Sequence, residues 1–149
     1  MTRLNAKSRL GDFLVAFRLA TRKQLASALQ TTMPTQMLGQ VMVQKGFVAR
    51  EVCEQVANIQ RLYQKSAAKL AKEQVFVPLD EKSFVGDIMV ALGFVTPAQN
   101  KEWLDYQAAK RAKDEDPGRL GELFVSHGVC TTIERDLAMQ VQNWLRGVK

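Results

Sequence analysis

The sequence predicts an all-α fold in which four repeated helical hairpins form two packed subdomains. The main observation is a seven-residue stretch at residues 9–15 that returns at residues 37–43, 84–90 and 119–125. Each copy has Leu or Val, then Gly, then a polar residue and three apolar residues. Because one such unit cannot bury its apolar face alone, the units are expected to pack on one another.

The residues after each copy also repeat. Seven residues after the motif glycine, the four units have Arg18, Gly46, Gly93 and Gly128. The three glycines are predicted to close the short helix in a left-handed conformation. Three residues further on, the units have Thr21, Ala49, Thr96 and Thr131, and a hydrophobic helical run follows in every unit.

In the first unit, Ser8 is the predicted N-cap of a short helix over residues 9–17, and Thr21 caps the next helix. Pro34 ends this second helix or lies just beyond it. The inward stripe of the second helix is predicted to be Leu25, Ala28 and Leu29.

In the second unit, the second helix is predicted to start near Arg50 and to continue as far as Lys72, with a polar, solvated run from residue 63 onward. Its apolar positions in helical register are Val52, Val56, Ile59 and Leu62. The extended pattern around Pro78 then divides the chain. The predicted domains are residues 1–73 and 83–149, connected by residues 74–82, with room for one short strand near residues 75–77.

The third and fourth units follow the same plan. Thr96 and Pro97 are predicted to begin a helix that buries Trp103 and Leu104, with Tyr106 or Gln107 at an edge. The charged segment 108–118 is predicted to be a frayed helix end and a turn. The apolar positions of the last helix are Ile133, Leu137, Val141 and Leu145.

Composition and charge are those of a soluble globular protein, with 46% hydrophobic and 24% charged residues. No apolar run reaches the length of a membrane span and no signal peptide is evident, so a cytoplasmic location is expected. Residues 1–74 carry twelve Lys and Arg against four Asp and Glu, whereas residues 75–149 carry nine against eleven. The basic first half, at +8, is predicted to attract an anionic partner unless it is simply solvated.

Catalytic chemistry is hard to assemble from these residues. His127, the only histidine, has no nucleophile or carboxylate at a fixed spacing, and a surface or capping role is expected. No phosphate-binding glycine loop or metal-ligand cluster is present, and Cys53 and Cys130 are predicted to be buried free thiols. We expect a protein that is not an enzyme and has no metal or cofactor.

The repeated Arg-Leu-Gly unit, with its later Gly, Thr and terminal Gln, resembles the MshEN-type domain. This family forms N-terminal regions of type II secretion and type IV pilus assembly ATPases, and it also occurs as separate regulatory modules. The resemblance covers nearly the whole chain, as two tandem pairs of units. It implies that a pair of units binds cyclic di-GMP through the Arg-Leu-Gly turns, apolar residues and the terminal glutamine.

The resemblance implies a set of ligand contacts, and the first pair is favoured because it lies in the basic half. The predicted ligand-binding residues are Arg9, Leu10, Gly11, Leu38, Gly39, Gln60, Arg119, Leu120 and Gly121. Gln107 and Gln142 occupy the terminal glutamine positions of the third and fourth units. The leucines and glycines are equally well explained by helix packing.

Three residues depart from the family pattern, because Met37 and Phe84 replace the arginine and Thr32 replaces a terminal glutamine. Each change removes a polar contact to the nucleotide. They favour the alternative of a protein–protein interaction module that has lost nucleotide binding and docks on a secretion or pilus motor or another signalling protein. A third alternative is a small helical DNA-binding protein using Arg22 and Lys23, but the other units do not keep that character.

Overall fold

The computed structural model describes residues 4–31 and 37–148. This part of the chain holds eight α-helices and no β-strand, which confirms the all-α prediction. The helices are α1 (Leu10–Ala16), α2 (Arg22–Thr31), α3 (Leu38–Gln44), α4 (Arg50–Ala71), α5 (Val85–Ala91), α6 (Pro97–Ala112), α7 (Leu120–Ser126) and α8 (Thr132–Arg146). Thr32 and Pro34, for which predictions were made, lie outside the described residues.

The turn after each short helix has the same backbone conformation in all four units. Gly46, Gly93 and Gly128 have φ of +74°, +83° and +73°, as the sequence predicted. Arg18 takes this position in the first unit and has φ of +61°. A residue with a Cβ is strained in this left-handed region, so the first unit keeps the turn at a cost of about 1 kcal/mol.

The starts of the helices follow local hydrogen bonding, with one correction to the prediction. The N-cap residue of α1 is Arg9 and not Ser8, because the Asp12 carboxylate accepts a hydrogen bond from the Arg9 backbone N–H at 2.8 Å. The Ser8 hydroxyl instead accepts from the Asn5 N–H at 2.9 Å. Thr21 caps α2 as predicted, since its hydroxyl accepts from the Gln24 N–H at 3.1 Å.

Within each pair, the short helix of one unit packs on the long helix of the other unit. Helix α1 packs on α4 of the second unit, and α2 packs on α3. The second pair has the same arrangement, with α5 on α8 and α6 on α7. A short helix therefore buries its apolar face largely against the long helix of the other unit, which is why one unit alone has no complete core.

The two halves meet around the segment that connects them. Leu4 and Leu79 exchange both backbone hydrogen bonds, at 3.0 and 3.4 Å, in an isolated antiparallel bridge. The buried Tyr63 hydroxyl lies 3.0 Å from the carbonyl oxygens of both Leu4 and Val77. Phe17 stacks on Trp144 at 5.5 Å between ring centroids, so side chains of both halves contribute to one core.

Several predictions about burial are wrong. The run after residue 62 is not a solvated end, because Tyr63, Ser66 and Leu70 are buried and α4 contacts α5. Conversely, Leu29 and Ile133 are exposed, at 57% and 81% of their surface. Leu104 is also exposed, whereas Gln107 is buried.

The short strand near residues 75–77 is not formed in the described chain. Extended pairing is limited to the single bridge at Leu79, beyond the proline.

Segment 108–118 continues α6 as far as Ala112 before the chain turns. Among residues 4–31 and 37–148, none of the helices combines the length and the hydrophobicity that a membrane span requires.

A second repeat, of five residues, precedes the first and third units and was not predicted from the sequence. The residues Leu4-Asn5-Ala6-Lys7-Ser8 and Leu79-Asp80-Glu81-Lys82-Ser83 stand at equivalent positions. In both copies the Asx side chain accepts from the N–H two residues on, at 2.8 Å, and the serine hydroxyl accepts from the Asx N–H. This shared turn, together with the bridge between its two leucines, gives the two halves an approximate twofold relation.

Candidate functional site

In three of the four motifs, the glycine lies close to the motif leucine of the other unit of the pair. A Cβ on Gly39 would lie 3.2 Å from Leu10 Cδ2, and one on Gly11 would lie 3.3 Å from Leu38 Cδ2. In the second pair, a Cβ on Gly86 would lie 2.7 Å from Leu120 Cδ2. The glycines let two short helices approach closely, so these predicted site residues hold the pair together.

The terminal glutamines also bond within the pair. Gln60 and Gln64 donate through Nε2 to the Ser8 carbonyl oxygen, at 3.5 and 3.1 Å. In the second pair, Gln142 donates to the Ser83 oxygen at 3.2 Å, and Gln107 donates to the Gly118 oxygen at 2.8 Å. In each case the acceptor immediately precedes the arginine position of the partner unit.

These bonds predict unequal effects of removing the glutamines. We expect Gln107→Ala to lower the free energy of unfolding by about 1 kcal/mol, because its amide is buried and the Gly118 carbonyl loses its partner. Gln60→Ala should have a smaller effect, because Gln64 keeps the shorter bond to Ser8. Urea denaturation of both variants measures the difference. Equal losses would contradict this assignment.

The four arginine positions are the N-caps of the short helices, and all four side chains are exposed. Arg9 and Arg119 make no side-chain hydrogen bond or ion pair within the described residues. Met37 and Phe84, which replace arginine, expose 73% and 70% of their surface. At these positions each pair therefore presents one unpaired arginine and one large apolar side chain.

An open groove of about 550 Å³ runs between α3 and the start of α4, within the first pair. Leu10, Met37, Val43 and Ala57 give it apolar surface, with the Cys53 sulfur nearby. Its polar lining is Gln40, Gln44, Arg50 and Glu54. Its volume lies within the range of small-molecule sites, about 300–1,000 Å³.

The groove contains part of the predicted site. Leu10 and Gly39 line it, whereas Arg9, Gln60 and the second-pair residues are not among its lining residues. Arg50 and Glu54 were missed. A signal was available, because residues 50, 53, 54 and 57 share one face of a helix that begins just after the Gly46 turn.

The equivalent space in the second pair is occupied differently. Arg135 stands where the first pair has Cys53, and its Cγ lies 3.2 Å from the position of a Cβ on Gly121. Its guanidinium donates to Asp136 Oδ1 at 3.0 and 3.1 Å. The Arg135 side chain thus packs on the motif glycine of the second pair, and its charge is paired.

Cys53 is a buried free thiol, as predicted, and Cys130 is another. Burial raises the pKa of the Cys53 thiol above its ordinary value of 9.0, and the neighbouring Glu54 carboxylate raises this pKa further. The Cys53 S–H lies 3.8 Å from the Gly39 carbonyl oxygen. The thiol is therefore protonated at neutral pH and acts as an apolar surface beside the groove.

His127 occupies the surface position expected for it, at the end of α7. Its Nδ1 lies 2.9 Å from the Leu123 carbonyl oxygen, and its ring contacts Trp103 with centroids 4.2 Å apart. No group of three or more His, Cys, Asp or Glu in residues 4–31 and 37–148 is placed to hold a metal ion.

Comparison with known proteins assigns no class to this chain. No protein-family model matches it, and no curated protein or solved structure is significantly similar to it. The resemblance to the MshEN-type domain therefore stays a hypothesis that rests on the repeated motif.

Proposed function

We propose that this protein is a non-catalytic regulatory module that binds cyclic di-GMP at its first pair of units and acts in a bacterial secretion, pilus or signalling system. The observation that carries the proposal is the groove beside Leu10 and Gly39, which combines apolar surface with the unpaired Arg50. Apolar side chains can cover the guanine faces, and arginine can bind phosphate or the guanine O6 and N7 atoms. The excess positive charge of the first half supports an anionic ligand.

Calorimetric titration with cyclic di-GMP, beside cyclic di-AMP and GTP, tests this function. We expect saturable micromolar or tighter binding of cyclic di-GMP with one ligand per chain. Arg50→Ala should weaken binding by about tenfold to a hundredfold through loss of a charge-assisted contact. Arg61→Ala is the matched control, because Arg61 is exposed on the same helix and does not line the groove.

A second pair of variants distinguishes the two halves. Arg9→Ala should weaken binding, because the resemblance assigns Arg9 to the ligand and Arg9 immediately precedes the groove residue Leu10. Arg119→Ala should leave binding unchanged, because we assign the ligand to the first pair. An effect of Arg119→Ala alone would move the ligand to the second pair. No heat with cyclic di-GMP at high micromolar concentration would reject the nucleotide function.

The alternative function is docking on a protein partner such as a secretion or pilus motor. The observation that favours it is the exposure of Met37 and Phe84, because large apolar side chains at the surface are typical of interfaces. In that case, binding to a purified motor ATPase should weaken in Met37→Ser or Phe84→Ser, and cyclic di-GMP should not compete.

A further inference from the structure

Arg50 and Glu54 form an unpaired cation and anion in the groove. They lie one turn apart at the start of α4, with Cα atoms about 6 Å apart along the helix axis. Both are exposed, and neither makes an ion pair or a side-chain hydrogen bond with another described residue. Their charged groups are therefore available to a ligand.

We infer that Glu54 selects guanine over adenine in this groove, with Arg50 holding the anionic part of the same ligand. This inference rests on the proposed nucleotide function and extends it to base specificity. A carboxylate can accept two hydrogen bonds at once, through its two oxygens. Guanine offers the two matching donors, N1–H and the N2 amino group, side by side on one edge.

Adenine does not fit the same carboxylate. Its corresponding edge has an acceptor at N1 beside the N6 amino donor, so one carboxylate oxygen would face a lone pair. Such a repulsive contact adds to the discrimination, because two acceptors face each other with no hydrogen between them. Arg50 adds attraction for phosphate that does not depend on the base.

The second pair provides an internal comparison. Asp136 stands at the position equivalent to Glu54, so an acid is present in both pairs. However, Asp136 is bonded to Arg135, whose side chain packs on Gly121. Thr132 stands at the position of Arg50. At these two positions the second pair therefore lacks the free carboxylate and the free arginine of the first pair, and we assign one guanine-selective site to each chain.

The test is titration of wild-type protein and of Glu54→Gln with cyclic di-GMP and cyclic di-AMP. Glutamine keeps the size of the side chain but has only one acceptor oxygen, so we expect binding of cyclic di-GMP to weaken at least ~10-fold. The preference for cyclic di-GMP over cyclic di-AMP should shrink by a similar factor. Glu51→Gln is the matched control, because Glu51 is exposed in the same helical turn and does not line the groove.

The outcomes separate this inference from the proposed function. If wild-type protein binds cyclic di-GMP and Glu54→Gln behaves like Glu51→Gln, the role of Glu54 is wrong and the nucleotide function stands. Equal wild-type affinity for both cyclic dinucleotides also overturns the inference. Absence of wild-type binding rejects the function and the inference together, before any variant is compared. Circular dichroism melting of each variant confirms that the fold is intact.

Discussion

Gly86→Ala is expected to lower the free energy of unfolding by about 2–3 kcal/mol, the range of an overpacked core. A Cβ at this position would fall well inside van der Waals contact with Asn100 Oδ1 and 2.7 Å from Leu120 Cδ2. Asn100 is buried, and its Oδ1 has no hydrogen-bond partner among the described residues. The space beside Gly86 is thus filled by the Asn100 amide and the Leu120 side chain, and a methyl group would have to displace them.

Guanidinium denaturation of Gly86→Ala and Gly46→Ala tests this prediction. Gly46 is the control, because a Cβ there meets nothing within 4 Å and carries only the cost of φ at +74°, about 1 kcal/mol. Gly39→Ala should be intermediate, since the nearest atom is the Cys53 sulfur at 3.0 Å. A loss in Gly86→Ala no larger than in Gly46→Ala would show that the helices separate readily.

Stability is expected to fall by about 2 kcal/mol between pH 9 and pH 11.5 because of Tyr63 alone. Burial raises the pKa of the Tyr63 phenol from its usual 10.0 to about 12. The unfolded chain therefore releases this proton first as the pH rises. The stabilising contribution is fully present below pH 10 and is lost as the pH rises toward 12.

Tyr63→Phe removes this pH dependence. At neutral pH the variant should be about 1 kcal/mol less stable, because the hydroxyl no longer binds the carbonyl oxygens of Leu4 and Val77. Above about pH 11, where ionisation of Tyr63 costs more than this, the variant should be the more stable protein. Urea denaturation across this range measures both effects.

Tyr106→Phe is the matched control, since Tyr106 is the other tyrosine and is exposed. Its alkaline loss of stability should follow that of the wild type, because deprotonation of lysines affects all three proteins alike. If Tyr63→Phe loses stability as steeply as the wild type, the phenol does not have the raised pKa.

From the sequence alone, a packing role of the motif residues could not be distinguished from a role in ligand binding. Leucine at residues 10 and 38 fits both a ligand contact and a packed helix. The structure shows that these side chains pack near Gly39 and Gly11. Likewise, Gln107 and Gln142 bond to backbone carbonyls that precede Arg119 and Phe84, a pairing over 11 and 59 residues that no local pattern reveals.

The wrong predictions of which side chains are buried have a related cause. The α4 stripe of Val56 and Ile59 continues in register through Tyr63 and Leu70, but Lys, Ser and Ala between them make the segment resemble a solvated end. Its partner is α5 of the other half, which only the folded chain brings near. Ile133 shows the opposite case, since it fits the helical stripe and yet remains exposed.

The sequence by itself determined the helical class, the repeats and the left-handed turns at Gly46, Gly93 and Gly128, because these depend on local backbone preferences and apolar spacing. Only the tertiary structure decided which helices pack across the units of a pair. It also placed Arg50 and Glu54 together in the groove of the first pair. The equivalent second-pair space holds the Arg135 side chain. Those outcomes depend on side chains from distant segments competing for the same volume, which is a property of the packed chain.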